Sequence, residues 1–242
     1  MEKLKVALIG YGKMGKIIEN VCLERGHSIH CTIDNENEWE QKSSLLDESD
    51  VAIDFSLPSS AIASINRCFD KNLPIVIGTT AWYDQLEVLS NRCYTEGCSL
   101  FYAPNFSLGM NIVFRLNQHL AQLLNGKAYR LSMNEIHHIY KLDAPSGTAL
   151  QLANDLIENI DELKTWEIGS SDNASTLPIE VIREGEVNGI HEVIATSEED
   201  IISLKHEAKG RKGFALGAVL AAEFLVGKKG VFTMSDLLNE TL

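Results

Sequence analysis

Near the start of the chain, three features in succession restrict the fold more than any other part of the sequence. Val6-Ala7-Leu8-Ile9 is an unbroken apolar run closed by Gly10, the pattern of a short strand buried on both faces. Gly10-Tyr11-Gly12-Lys13-Met14-Gly15 follows as a G-x-G-x-x-G. Met14, Ile17, Ile18, Val21 and Cys22 then recur at the spacing of one helix face. Strand, glycine loop and helix in this order form the opening of a dinucleotide-binding βαβ unit. The first glycine permits the tight turn and the second lets backbone approach a pyrophosphate. The third allows close helix–strand packing, and the N–H groups of the helix start hold the phosphates.

A second strand is expected over Ser28 to Ile33, leading to Asp34. That places a carboxylate about 20 residues beyond the loop, where it accepts hydrogen bonds from the adenine-side ribose. Asp34 repels a 2′-phosphate, and Asn35-Glu36-Asn37-Glu38 offers no cation to receive one. The cofactor is therefore NADH or NADPH, with NADH favoured; Lys13 is the residue that leaves NADPH open.

The rhythm then repeats. Val51 to Phe55, Ile75 to Ile77 and Ser99 to Ala103 read as strands, with helices over Ser59 to Phe69 and Asp84 to Glu96. Strands separated by helices of this length predict a Rossmann-type, doubly wound parallel sheet. Gly78-Thr79-Thr80 and Ala103-Pro104-Asn105-Phe106 fall at strand C-terminal ends, where such sheets bind ligands. After Asn105 the pattern changes to a helix over Leu108 to Leu124 and alternation through Tyr129, Leu131 and Met133. A helix is expected from Ser146, a loop over Gly169 to Ser175, and strands over Ile179 to Arg183, Ile190 to Thr196 and Ile201 to Lys209. Short turns between these last strands favour antiparallel pairing, hence a second α+β domain with a mainly antiparallel sheet. An alanine-rich helix, Phe214 to Val226, follows.

The formal charge of −13 argues against a nucleic-acid partner. No apolar run is long enough for a bilayer, and the one at Val6 is too short for a signal-peptide core. Five cysteines without a CxxC spacing read as buried thiols in a reducing, cytoplasmic setting. An acidic enzyme acting on an acidic substrate needs a local positive pocket. The segment from Glu135 to Leu150, EIHHIYKLDAPSGTAL, supplies one. It combines His137, His138 and the Lys141 ammonium with a helix start, for which Ser146 is the N-cap and Gly147 and Thr148 offer N–H groups to an anion. Adjacent residues of a strand point to opposite faces, so both histidines reach one cleft only if the strand ends or bends near His138. His191 and His206 are remote in sequence and no carboxylate stands at zinc spacing to the pair, so no metal is expected.

This segment closely resembles the E-x-H-H-x-x-K-x-D-A-P-S-G-T-A signature of the dihydrodipicolinate reductases. The similarity extends through the GYGKMG loop, GTT at 78–80, APNFSLGMN at 103–111 and the KGFALGAVLAAEFL ending. The resemblance implies an NAD(P)H-dependent reduction of 4-hydroxy-tetrahydrodipicolinate or dihydrodipicolinate in lysine (diaminopimelate) biosynthesis. It implies His137 as proton donor, Lys141 as a second donor, and His138, Gly147 and Thr148 as contacts to a small dicarboxylate. Gly10 to Gly15, Gly78 to Thr80 and Ala103 to Phe106 would line the cofactor site. The family forms homotetramers through its antiparallel sheet, and its C-terminal helix returns to the nucleotide half. On that pattern 1–106 with 213–242 form a dinucleotide-binding domain, and 107–212 a substrate-binding and oligomerisation domain. Closure of the two would exclude water from the reacting ring. Ala81 stands where the family more often has glycine, the family's glycine loop is often one residue longer, and 161–177 matches no part of its pattern. Other two-domain dehydrogenases and nucleotide sensors share the nucleotide half; the H-H-x-x-K…S-G-T run is what separates them.

Overall fold

The computed structural model describes residues 2–241; the outermost positions of the expected nucleotide domain, 1 and 242, lie outside them. The chain begins with β1 (Lys5–Ile9), α1 (Lys13–Glu24), β2 (Ser28–Ile33), α2 (Glu36–Lys42) and β3 (Val51–Asp54). It continues through α3 (Pro58–Asp70), β4 (Ile75–Ile77), α4 (Leu86–Glu96) and β5 (Ser99–Tyr102). The middle consists of α5 (Leu108–Leu124), β6 (Arg130–His137), α6 (Gly147–Asn159), β7 (Thr165–Ile168), β8 (Thr176–Arg183), β9 (Ile190–Thr196) and β10 (Ile201–Glu207). The chain ends with α7 (Lys212–Leu225), β11 (Gly230–Phe232) and α8 (Met234–Thr241). Two compact units result: the chain up to Leu108 together with Arg211 onward, and Gly109–Gly210 between them. The divisions fall there rather than at 106 and 212. No helix among the described residues is long and apolar enough to cross a membrane.

The first unit is built on one parallel sheet in the order β11-β5-β4-β3-β1-β2. Strand alternation divides its interior into two cores. Val6, Leu8, Ile53, Val76 and Phe101 face the side covered by α1 and α7, whereas Ala7, Ile9, Ala52, Ile75, Ile77 and Leu100 face α3 and α4. Burial on both faces explains why these strands read as continuous apolar runs. All five cysteines are buried free thiols. Helix α2 carries almost no apolar periodicity, with Trp39 its one buried residue. It forms because the Asn35 side chain accepts from Glu38 N–H at 3.0 Å and the Arg67 guanidinium lies over the Trp39 ring at 4.7 Å.

The second unit holds a mixed sheet in the order β10-β9-β6-β8-β7. β10, β9 and β6 pair antiparallel, while β6, β8 and β7 pair parallel. β8 and β9 therefore do not pair with each other, contrary to the reading of three consecutive antiparallel strands. β6 lies between them, with Leu131, Met133, Glu135 and His137 all buried along one face, and such a strand belongs at the centre. The 184–189 connection spans that strand, a distance of about 10 Å for two strand spacings, and passes across its C-terminal end. There Glu184 N–H donates to His137 O at 2.8 Å and Ile139 N–H donates to Gly185 O at 3.2 Å. β7 is a short edge strand over the unplaced 161–177 stretch, with only Trp166 half-buried, too little alternation to be read.

Candidate active site

In the first unit the C-terminal ends of β1, β3, β4 and β5 gather the expected cofactor residues. Gly10 has φ +81°, and a Cβ there would lie 2.6 Å from the Phe55 backbone. A Cβ on Gly15 would lie 2.4 Å from Gly10 O, while one on Gly12 would meet nothing within 4 Å. The first and third glycines thus serve packing, and the second leaves space. No side chain caps the start of α1 at Gly12, so its first-turn N–H groups suit a phosphate. Lys13 opens the helix and is exposed, and Met14 is packed against the core. Tyr11 N–H donates to Asp34 Oδ1 at 2.7 Å, which ties this carboxylate to the loop.

Phe55 joins the other segments. Its ring is 2.3 Å from where a Gly78 Cβ would stand and 5.6 Å, centroid to centroid, from that of Phe106. Thr79 is buried and its Oγ1 donates to Ser56 O at 3.2 Å, whereas Thr80 is exposed. Ala103 is buried, Pro104 is exposed, and Asn105 Oδ1 accepts from Ser107 N–H at 2.8 Å. Ala81 has φ +64°, the left-handed region that favours glycine. Two residues escaped the sequence reading. In sequence Phe55 is only the end of a strand, and Asp54 carries no motif signal. Asp54 is fully buried and accepts from Ser56 N–H at 2.7 Å. Burial pushes its carboxyl up, opposed by hydrogen bonds from Ser56, Ser64 and Thr79.

In the second unit the strand does end at His137, and His138 stands just beyond it. His137 is buried, with Nδ1 3.1 Å from Glu135 Oε1. Glu135, two residues earlier on the same face, is 0% exposed. Its Oε1 also receives Arg183 Nη2 at 2.9 Å and its Oε2 receives Ser146 N–H at 2.7 Å. Burial pushes this carboxyl up, but the bonds from His137, Ser146 and Arg183 outweigh it and hold it down at about 2. His191 lies against His137 at 5.1 Å between ring centroids and its Nε2 is 3.1 Å from Ser146 Oγ. Burial first, then the neighbouring His137, pushes His191 down to about 4, so it is neutral at physiological pH.

Ser146 caps α6, its Oγ accepting from Ala149 N–H at 3.2 Å. Gly147 and Thr148 form the first turn, and nothing lies within 4 Å of a Gly147 Cβ. The Lys141 ammonium is paired with Asp143 Oδ1 at 2.8 Å, and the ammonium holds that carboxyl below its ordinary value. Arg183 Nη2 donates to Asp143 O at 2.6 Å, which secures the same segment. Glu135, His137 and His191 place ligand-type atoms within 4.8 Å of one another, a cluster invisible in sequence because β9 brings in His191. The Arg183 guanidinium already supplies the positive charge beside this carboxylate. A separate cavity of about 470 Å³ lies at the other end of β6, floored by Leu124, Leu131, Ile160 and Leu163; it contains none of these histidines, and chemistry rather than volume marks the candidate site. Sequence reasoning missed Glu135, Arg183 and His191. Glu135 was discoverable from its i, i+2 relation to His137 on a strand; the other two have no local signal.

Residues 4–106 match the family model described as dihydrodipicolinate reductase, N-terminus, and residues 109–238 that described as dihydrodipicolinate reductase, C-terminus. The chain is 44% identical over 238 residues to a 4-hydroxy-tetrahydrodipicolinate reductase of Christiangramia forsetii, covering 98% of each chain. It is 34% identical over 250 residues to one from Clostridium novyi, covering 97% of this chain and 98% of that one. Among solved structures, a dipicolinate-bound dihydrodipicolinate reductase from Paenisporosarcina sp. TG-14 shares the fold with a TM-score of 0.78 at 19% identity, covering 96% and 98% of the two chains. With both halves matched and full-length relatives well above chance similarity, the chain belongs to the dihydrodipicolinate reductase family.

Proposed function

We propose that the protein reduces 4-hydroxy-tetrahydrodipicolinate, or its dehydrated form dihydrodipicolinate, in the lysine (diaminopimelate) pathway, as its named relatives do. The observation that carries this reading is the buried Glu135–His137 pair set beside the start of α6 and the Lys141 segment. We assign dinucleotide binding to the unit that contains Gly10 to Gly15, and substrate binding to 109–210. Reduced nicotinamide, as NADH or NADPH, supplies the hydride to the ring. The glycine loop, the uncapped N-terminus of α1 and Asp34 fit its pyrophosphate and adenine ribose. Asp34 and the acidic start of α2 favour NADH. Hydride addition drives negative charge onto the ring nitrogen, and a proton at His137 Nε2 neutralises it. Lys141 is the second donor, exchanging Asp143 for substrate. Ser146, Gly147 and Thr148 at the helix start, with His138, hold the two carboxylates and orient the ring.

A coupled assay with freshly generated dihydrodipicolinate and each nicotinamide cofactor tests the proposal. His137→Ala and Lys141→Ala should each lower kcat about 100-fold or more, whereas His138→Ala and Thr148→Ala should mainly raise KM. No oxidation of either cofactor by the wild-type protein refutes the activity; full turnover in both kcat variants refutes the proton-donor roles.

We further propose a cytoplasmic homotetramer, with the second sheet at the interface. Its β6 and β9 alternate buried and partly exposed residues, leaving Ile136, Ile190 and Ile194 half-exposed on one face. Such a partly apolar face is a natural association surface. Sedimentation velocity should show a tetramer that Ile194→Lys shifts to smaller species; a monomeric wild type overturns this.

A further inference from the structure

We propose that Glu135 is the positioning residue of the site: its carboxylate fixes the His137 ring with the proton on Nδ1, leaving Nε2 as the atom that carries protons to substrate. The kinetic part of this inference rests on the proposed reductase activity; the tautomer does not.

Glu135 and His137 are two apart on β6 and so share a face. The carboxylate is wholly buried, and a buried charge persists only where hydrogen bonds replace its lost hydration. Three donors do so here, Arg183 Nη2 at 2.9 Å, His137 Nδ1 at 3.1 Å and Ser146 N–H at 2.7 Å. An ionised carboxylate only accepts. Its imidazole partner therefore carries hydrogen on Nδ1, and Nε2 is the position free to gain or lose a proton.

Surrounding residues guard that arrangement. A Cβ on Gly189 would stand 3.0 Å from His137 Nε2, so glycine at this place in the 184–189 connection keeps the working nitrogen approachable. His191 packs edge-on against the ring and, being neutral, adds no competing charge. Beyond Glu135, Arg183 also donates to Lys141 O at 3.4 Å and Asp143 O at 2.6 Å. One carboxylate thereby connects the histidine ring, the start of α6 and the segment that bears Lys141. A carboxylate serving only to neutralise Arg183 would need neither of its other two bonds.

Glu135→Gln separates the roles. Its amide has one acceptor oxygen for three donors: with that oxygen toward Arg183 and His137 the NH2 group faces Ser146 N–H, and with the NH2 group toward His137 it also faces Arg183, so neither orientation holds the Nδ1–H form with a charged acceptor as the carboxylate does. Side-chain 15N NMR of histidine-labelled protein, with the His137 signals assigned by a His137→Gln control, reads the tautomer without any substrate. In the wild type we expect Nδ1–H in the neutral ring; an Nε2–H wild type overturns the proposal outright. In Glu135→Gln we expect the Nδ1–H preference to be lost and kcat down about 100-fold at unchanged KM for the nicotinamide cofactor. Glu135→Asp, which keeps the carboxylate, should restore part of the rate and the wild-type tautomer. A Glu135→Gln enzyme with wild-type tautomer and rate sinks the inference. Inactivity of the wild type sinks only the reductase reading, and if the Gln variant fails to fold, the wild-type tautomer and the Asp variant still decide.

Discussion

Replacing a glycine inside a helix by alanine ordinarily gains about 0.5–1 kcal/mol, but at Gly217 the sign should reverse. A Cβ there would stand 1.7 Å from Phe106 O, so α7 must move off the 103–106 segment. Gly217→Ala should cost about 1–3 kcal/mol, read as a fall in Tm of several degrees by circular dichroism. Gly12→Ala is the contrast. Its backbone has φ −79° and open space around it, so Tm should hold while KM for the dinucleotide rises, because the added methyl occupies room meant for a phosphate. A large Tm loss in Gly12→Ala, or none in Gly217→Ala, contradicts this division of labour. Ala81 shows the same logic from the other side: its left-handed φ of +64° is the geometry a glycine provides without cost.

Among elements, the seam between α7 and the α1–β2 corner is held by one carboxylate. Glu223 receives Arg25 Nε at 2.6 Å and Nη2 at 2.8 Å, and lies 2.7 Å from His27 Nε2. His27 is itself buried, and its Nδ1 accepts from Leu4 N–H at 3.2 Å. The returning helix is therefore joined to the chain's first strand through a hydrogen-bonded path as well as an apolar core. Glu223→Ala leaves His27 and Arg25 without this acceptor and should cost about 3 kcal/mol, measured by urea unfolding. A double-mutant cycle with Arg25→Ala should show coupling well above that of exposed pairs such as Lys212–Glu24, which contribute about 0–1 kcal/mol. Additive effects would make the pair incidental.

For the whole molecule, the buried ionisable groups of the second unit set an acid limit. His191, pushed down to about 4, stays neutral when folded, whereas the unfolded side chain takes a proton near pH 6.5. Its contribution is thus present above that value and fades as pH falls toward 4. Glu135, held at about 2 against an ordinary 4.5, contributes above pH 4.5 and loses that contribution as pH falls to 2. The Glu135 contribution is on the order of 3 kcal/mol. Urea midpoints should therefore decline from pH 7 to 5 and more steeply from 5 to 3, with Glu135→Gln flattening the lower interval. A flat wild-type profile would show that neither group is protonated on unfolding.

How much was legible followed how local each signal was. The glycine loop, the alternation of β1 to β5 with their helices and the cap at Ser146 are written in spacings of two, three and four residues, which the chain's own periodicity imposes. His137, Lys141 and the helix start sit in one continuous segment, so they could be proposed together. Helix α2 and strand β7 went unread because a single aromatic residue each, Trp39 and Trp166, replaces a periodic face. The sequence by itself determined the class of fold, the family resemblance and the acid-bearing segment. Only the tertiary structure decided that β6 separates β8 from β9, and hence that Arg183 and His191 flank Glu135 and His137 from opposite neighbouring strands. That choice depends on which strand buries one whole face, a property of the assembled sheet and not of any window of residues.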